Sequence, residues 1–214
     1  MLNRPSLHQE LYLIAHDDDG KPLIQPPSLR LGLAGAVLLD LTLSGRVNVT
    51  QGRLAVYDRT PIGDMVADSL IPAILSDRAN RDLKLWIKQI AEDVYDRTCG
   101  SLVAAGVLTK VTRRRLGVLS QVRYQPVDTT PAVRARAGVR EATTGARGAP
   151  DAHYAALCGL VGVLRLESTL YINQPSSRLV GRLRTIAGEH SGPVLEIAQT
   201  VDTLIGETAV AAYR

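Results

Sequence analysis

The sequence predicts a mainly α, single-domain fold: a helical bundle ringed by amphipathic helices, with a small β-hairpin near residues 46–57 and a projecting basic β-hairpin near 108–127. Three observations carry this. Residues 28–47 (SLRLGLAGAVLLDLTLSGRV) and 151–167 (DAHYAALCGLVGVLRLE) are apolar nearly all round, the pattern of a helix buried on every side. Most other periodic segments repeat apolar residues every three or four positions. Alternating β-like pattern is confined to the two hairpin stretches, each interrupted by a turn signal.

The 214 residues fit one domain spanning 1–214 and can bury a sizeable core. With 45% hydrophobic and 21% charged residues the chain is an ordinary globular one, not a disordered one. There is no Phe and Trp86 is the only Trp, so the core must be built of Leu, Val, Ile and Ala. The bias toward Arg, Ala and Gly reads as a GC-rich bacterial coding sequence. A net charge of +4 permits attraction to anionic partners without demanding it. Cys99 and Cys158 lack partners at metal spacing and sit in apolar stretches, as buried reduced thiols do. The first twelve residues lack the apolar core of a secretory signal. A cytoplasmic protein is expected, free or peripheral on the inner face of the membrane.

Taken in order, residues 7–15 place Leu7, Leu11, Leu13 and Ile14 at helical spacing and end at a polar turn, His16-Asp17-Asp18-Asp19-Gly20. Only fragments of a calcium-loop pattern are present there, so a solvated turn is expected. The central helix should start at Ser28, after the Pro26-Pro27 breaker, and stop at Gly45. Its uninterrupted apolar run, residues 31–39, is far shorter than the ~20 residues a bilayer requires. Gln51-Gly52 then turns a hairpin between Val47/Val49 and Leu54/Val56.

Residues 61–75 form an amphipathic helix that Pro72 kinks or splits. Residues 77–90 put Leu83, Trp86, Ile87 and Ile90 on one face and Arg78, Arg81, Lys84 and Lys88 on the other. A helix over 92–105 stops at Gly106. The basic hairpin follows, carrying Lys110, Arg113, Arg114, Arg115 and Arg123 with Leu116 and Leu119 beside them. Residues 130–140 form a basic helix with little apolar face, and 142–150 compose a flexible linker. The second apolar helix starts at an Asp151 cap and should pack against the first, with Gly159 and Gly162 allowing close approach. Two amphipathic helices, 175–187 and 193–213, finish the chain.

Enzyme signatures are missing from the sequence. It holds no glycine-rich phosphate loop and no nucleophile elbow. His8, His16, His153 and His190 are isolated, so no metal, cofactor or catalytic residue is expected. Asp40, a carboxylate in the most apolar helix, needs a partner, which Arg46 or a backbone donor could supply. Binding functions remain. The order helix, helix, basic hairpin is that of a winged helix, but Glu92, Asp93 and Asp96 on the second helix would oppose DNA phosphates, which makes nucleic acid unlikely as a partner. A peripheral membrane module using the basic hairpin and the cationic face of residues 78–88 fits better, each Lys or Arg near an anionic leaflet contributing ~1 kcal/mol.

Three segments taken together, ELYLIAHDDDGKP, GLAGAVLLDLTLSGRV and DRTCGSLVAAGVLTKV, resemble the Golgi phosphoprotein 3 family, in particular its shorter actinobacterial members. Gly32, Leu33, Gly35, Leu38, Asp40, Leu41, Leu43, Gly45 and Arg46 fill the most specific motif. The resemblance implies one mostly helical domain whose projecting hairpin serves self-association and membrane contact. It also implies a non-catalytic adaptor, since eukaryotic members bind phosphatidylinositol 4-phosphate and hold glycosyltransferase tails. The family's headgroup positions fall here at Gln25, Ala34, Glu92 and Tyr95, none of which keeps the family's residue. Arg30, Lys88 and Arg97 stand close to them in sequence and are the candidates for a displaced anionic headgroup site. The competing expectation is a soluble protein–protein scaffold that keeps the hairpin for oligomerisation.

Overall fold

The computed structural model describes residues 4–77, 82–115, 118–146 and 148–211, without the side chains of 113–115, 118–121 and 211. The elements are, in order, α1 (Leu7–Ile14), α2 (Pro26–Leu43), β1 (Val47–Thr50), β2 (Arg53–Val56), α3 (Met65–Asp68), α4 (Leu70–Ser76), α5 (Leu83–Ala91) and α6 (Val94–Ala104). They continue with β3 (Leu108–Arg115), β4 (Val118–Pro126), α7 (Thr130–Thr144), α8 (Ala152–Val163), a 3-10 turn (Glu167–Leu170), α9 (Ser176–His190) and α10 (Gly192–Ala211). The fold is mainly α, as the periodicity requires, with two separate two-stranded antiparallel sheets.

Helix α2 is the centre. From Leu31 to Leu39 every residue is buried, and α8 matches it with an unbroken buried run from Ala155 to Val163. What lets them pack is the lack of side chains at chosen points. A Cβ on Gly32 would lie 2.6 Å from a methyl of Leu164, and one on Gly35 would lie 2.7 Å from a methyl of Val201 on α10. On α8, a Cβ at Gly159 would come within 2.9 Å of the Ala187 Cβ on α9. The expected contact of the two apolar helices is present, and Gly159 and Gly162 open α8 to α9.

Several boundaries differ from the sequence reading. Helix α2 begins at Pro26, because the first turn needs no N–H donors and proline's fixed φ suits it. The helix over 61–75 is split as expected: α3 ends at Asp68, whose carbonyl is the one that Pro72 has no N–H to bond, and Pro72 lies in the first turn of α4. Helix α7 runs on to Thr144 and ends at Gly145, whose φ of +71° closes it, so the first third of the expected linker is helical. Its buried face is made of small residues, Ala132, Ala135, Gly138, Val139 and Ala142, which an apolar-periodicity count undervalues. The ring of Tyr154 fills the space over Gly138.

The first hairpin turns through Gln51 and Gly52, both at positive φ (+54° and +71°), the geometry of a type I′ turn. It is tied into the bundle by the N–H of Leu83 on the Gly52 carbonyl and by Glu196 of α10 on the Gly52 N–H. The second hairpin pairs Leu108 with Pro126 through to Arg115 with Val118. Leu108 at its base is buried in the core. Cys99 and Cys158 are buried free thiols, pushed up to about 11 and about 12 by burial. No helix among the described residues is long and apolar enough to cross a membrane.

Overpacking a close-packed core typically costs about 1–3 kcal/mol, so Gly35→Val and Gly159→Val are each expected to lower unfolding stability by that amount in urea denaturation. Gly181→Ala, on the exposed side of α9 with nothing near its Cβ, is expected to gain up to about 1 kcal/mol from helix propensity alone.

Candidate functional site

Two polar regions interrupt the apolar bundle. The first starts from the turn after α1. The Asp17 carboxylate accepts the N–H groups of Asp19 (3.0 Å) and Lys21 (2.8 Å), and the Lys21 carbonyl accepts the Asp17 N–H at 2.9 Å. Gly20, at φ +74°, lies flat on β4: a Cβ there would sit 2.1 Å from the Tyr124 carbonyl oxygen. Arg136 of α7 holds the turn from the other side, donating to the His16 carbonyl at 2.6 Å. The aspartate turn is therefore docked against the base of the basic hairpin.

Behind this junction His16 stacks on Tyr12, ring centroids 3.9 Å apart. Its Nδ1–H donates to the Tyr12 carbonyl at 2.7 Å, leaving Nε2 to accept from the Tyr95 hydroxyl at 3.1 Å. Burial pushes His16 down to about 4, so it is neutral near pH 7. In front of it opens a cavity of about 570 Å³ lined by Lys21, Tyr95, Asp96, Lys110, Arg123 and Tyr124 among others. Three cations face one carboxylate. Lys110 and Arg123 have no ion pair among the described residues, and Lys21 reaches only the exposed Asp19 at 3.4 Å.

The sequence-predicted cations are distributed differently. Arg30 is exposed near the start of α2, without an ion pair among the described residues. Lys88 shares Glu207 of α10 with Lys84, at 3.4 and 3.0 Å. Arg97 donates to Ser69 and to the Met65 and Val66 carbonyls and lies 3.9 Å from Asp93, joining α6 to α3. Lys88 and Arg97 are thus committed to different structural partners. Of the hairpin candidates, Lys110 and Arg123 line the cavity; Leu116 lies outside the described residues, as do the side chains of Arg113, Arg114, Arg115 and Leu119, and as do Arg78 and Arg81. Sequence reasoning missed Lys21. The only local signal was a turn, and the partner that makes it a site wall is about a hundred residues away.

The second polar region lies where the start of α1 meets the end of α2, the α3 cap and the start of α8. His8 is fully buried, its Nε2–H donating to Asp64 at 3.0 Å while Nδ1 meets the Thr98 hydroxyl at 3.0 Å. Asp64 also takes the Ser6 hydroxyl and the N–H groups of Val66 and Ala67. Burial pushes its carboxyl up, but these bonds from His8, Ser6 and the backbone outweigh it and hold Asp64 well below the usual range. His153 donates to Glu10 at 2.7 Å. Asp40 takes the Leu7 N–H at 3.0 Å, and Arg46, the sequence's first candidate partner for it, turns instead to Asp58. Burial raises Asp40 to about 6. Ser6 donates to the carboxylate and not to the imidazole, so this Ser, His and Asp do not form a nucleophile–base pair. No group of three His, Cys, Asp or Glu among the described residues could hold a metal ion.

The sequence profile of Golgi phosphoprotein 3 (GPP34) matches residues 7–204 of this chain. The chain belongs to the Golgi phosphoprotein 3 family. No curated protein matches it.

His16 and Asp40 titrate against each other. His16, lowered in the fold, loses stability as pH falls from about 6.5 to about 4, whereas Asp40, raised to about 6, gains it as pH falls through about 6 to about 4. Asp40→Asn should remove the compensating half, giving a stability that drops by on the order of 1 kcal/mol per pH unit across that window where the wild type is flatter, measured by urea denaturation.

Proposed function

We propose that this chain is a non-catalytic adaptor that docks reversibly on anionic membrane through the basic hairpin and the cavity at its base. The observation that carries it is the convergence of Lys21, Lys110 and Arg123 on one open cavity, two of them without an ion pair among the described residues. Unneutralised cations facing a common space are what a phosphate headgroup needs, because several donors must reach one doubly charged group. Tyr95 in that cavity is one of the positions aligned with the family's headgroup site, and the docked turn brings in Lys21 as a replacement cation. Phosphatidylinositol 4-phosphate, or a related anionic lipid, is the ligand that family membership suggests. At ~1 kcal/mol per cation near an anionic leaflet, these three and the arginines at 113–115 give an attachment of several kcal/mol. That is strong enough to bind and weak enough to release. Arg30 adds long-range attraction; Lys88 and Arg97 serve the helices they brace.

Exposed Val122 on β4 and Val127 just after it, 44% and 63% accessible, favour a second use of the same hairpin as a self-association surface. In that case the hairpin assembles copies of the chain into a scaffold without lipid contact.

Flotation with phosphatidylcholine vesicles, with and without phosphatidylinositol 4-phosphate or phosphatidylserine, separates the two. Wild-type protein should float only with anionic vesicles and be released by salt. Removing two cations in Lys110→Ser with Arg123→Ser should weaken binding about 30-fold. Arg113, Arg114 and Arg115 replaced together by Ser should likewise reduce flotation; if only the assembly state changes, the scaffold is correct and lipid docking is not. Equal flotation with neutral and anionic vesicles also defeats the lipid reading.

A further inference from the structure

We infer that the cavity between the loop before α2 and the C-terminal end of α8 binds an aliphatic monocarboxylate, with Arg165 as its counter-ion. The cavity encloses about 590 Å³, a size that suits a small molecule. It borders the hairpin cavity at Pro22 but shares no cation with it, so the inference does not rest on the lipid reading. Leu23 and Arg165 are both exposed, and a ligand can reach them from solvent.

Arg165 is held in left-handed backbone, at φ +57°. The Leu166 N–H donates to the Val161 carbonyl at 3.0 Å, the bond that closes a helix through a left-handed residue. Helices α2 and α6 end in the same way, with the Arg46 N–H on Leu41 and the Val107 N–H on Leu102. There the left-handed residue is glycine, Gly45 and Gly106. At the end of α8 the same bend carries an arginine, whose Cβ makes it strained. A cation within the last turn of α8 would serve the helix dipole without that strain. A strained residue that the bend itself does not call for points to a use for its side chain. Arg165 lines the cavity and has no ion pair among the described residues.

The other walls set the chemistry of the ligand. Leu23, Ile24, Val163 and Ile205 are apolar, and the polar residues beside Arg165, Gln25 and Ser28, are neutral. No Asp or Glu lines this cavity. By contrast Asp96 stands in the hairpin cavity, Asp64 in the cleft at the start of α1 and Asp202 in the slot between α9 and α10. One cation without a carboxylate beside it matches one negative charge. A doubly charged phosphate needs several converging donors, whereas a single guanidinium pairs with a carboxylate through two parallel bonds. The apolar walls then take the alkyl body, each fully buried methylene tightening binding by about fourfold. Leu23, 46% exposed, is apolar surface that such a body would cover.

The test is calorimetry of the full chain with sodium butyrate, hexanoate and octanoate at neutral pH, and hexan-1-ol as the neutral analogue. Saturable binding that tightens by about two- to fourfold per methylene is expected. Hexan-1-ol should bind at least about tenfold more weakly than hexanoate. Arg165→Gly should weaken hexanoate by at least about tenfold, yet leave the urea midpoint equal or higher, because glycine accepts the left-handed bend. Arg165→Lys keeps the charge without the planar fork and should fall between wild type and Arg165→Gly. Flotation of Arg165→Gly on anionic vesicles should be unchanged, which keeps the outcome distinct from that of the lipid reading. Equal hexanoate binding by wild type and Arg165→Gly, equal binding of hexan-1-ol, no dependence on chain length, or no saturation by octanoate at concentrations on the order of 10 mM overturns the assignment. So does a lowered urea midpoint of Arg165→Gly, which would tie the arginine to the helix end, or a loss of flotation, which would make the cavity part of the lipid site. Tighter binding of N-acetyl-leucyl-leucine than of octanoate also overturns it, in favour of a protein C-terminus.

Discussion

The close approach of α2 to α8 and α10 is the constraint on which the rest of the structure depends. Two helices with full side chains along their contact stand 8–10 Å apart. Glycine at positions 32 and 35 lets Leu164 and Val201 occupy space that a Cβ would take. A central helix buried on every side must meet neighbours all around it. Small residues on its first half and branched ones on its second allow helices of different bulk to meet it at different ends. With no Phe in the chain, fit of aliphatic shapes does most of this work, and such a fit tolerates little change in volume.

A core so apolar concentrates its polar groups at the ends of the helices. Helix α1 shows the outcome: nearly all of it is buried, including His8 and Glu10, so each of these needs a partner inside. His8 finds Thr98 and Asp64, Glu10 finds His153, and His16 just beyond the helix finds Tyr95. These bonds join α1 to α6, to the α3 cap and to α8. Satisfied buried polar pairs of this kind favour one arrangement over its near neighbours, because every slip leaves a donor or acceptor unmatched.

At the hairpin end the decisive contact is a backbone one. Gly20 lies against the Tyr124 carbonyl, closer than any side chain permits, and this brings the aspartate turn onto β4. Lys21 is thereby set opposite Lys110 and Arg123. A solvated turn and a basic hairpin, unremarkable apart, become two walls of one cavity.

The sequence by itself determined the helical class, the two buried helices, both hairpins and the turn of the first, the glycine stops at Gly45 and Gly106, the cap at Asp151 and the family motif. All of these follow from local preferences or from a periodicity that burial imposes along a single segment. It misplaced the start of α2 and the end of α7, where proline position and an Ala/Gly face are local cues of ambiguous sign. It could not decide which charges remain free. Arg97 and Lys88 looked available in the sequence and are engaged by Ser69 and Glu207, while Arg46, a candidate partner for Asp40, pairs with Asp58. Lys110 and Arg123 have no ion pair among the described residues, and Lys21 joins them only through Gly20. Pairing between charges depends on distances across the fold, set by how closely the helices pack, and no segment carries that information alone.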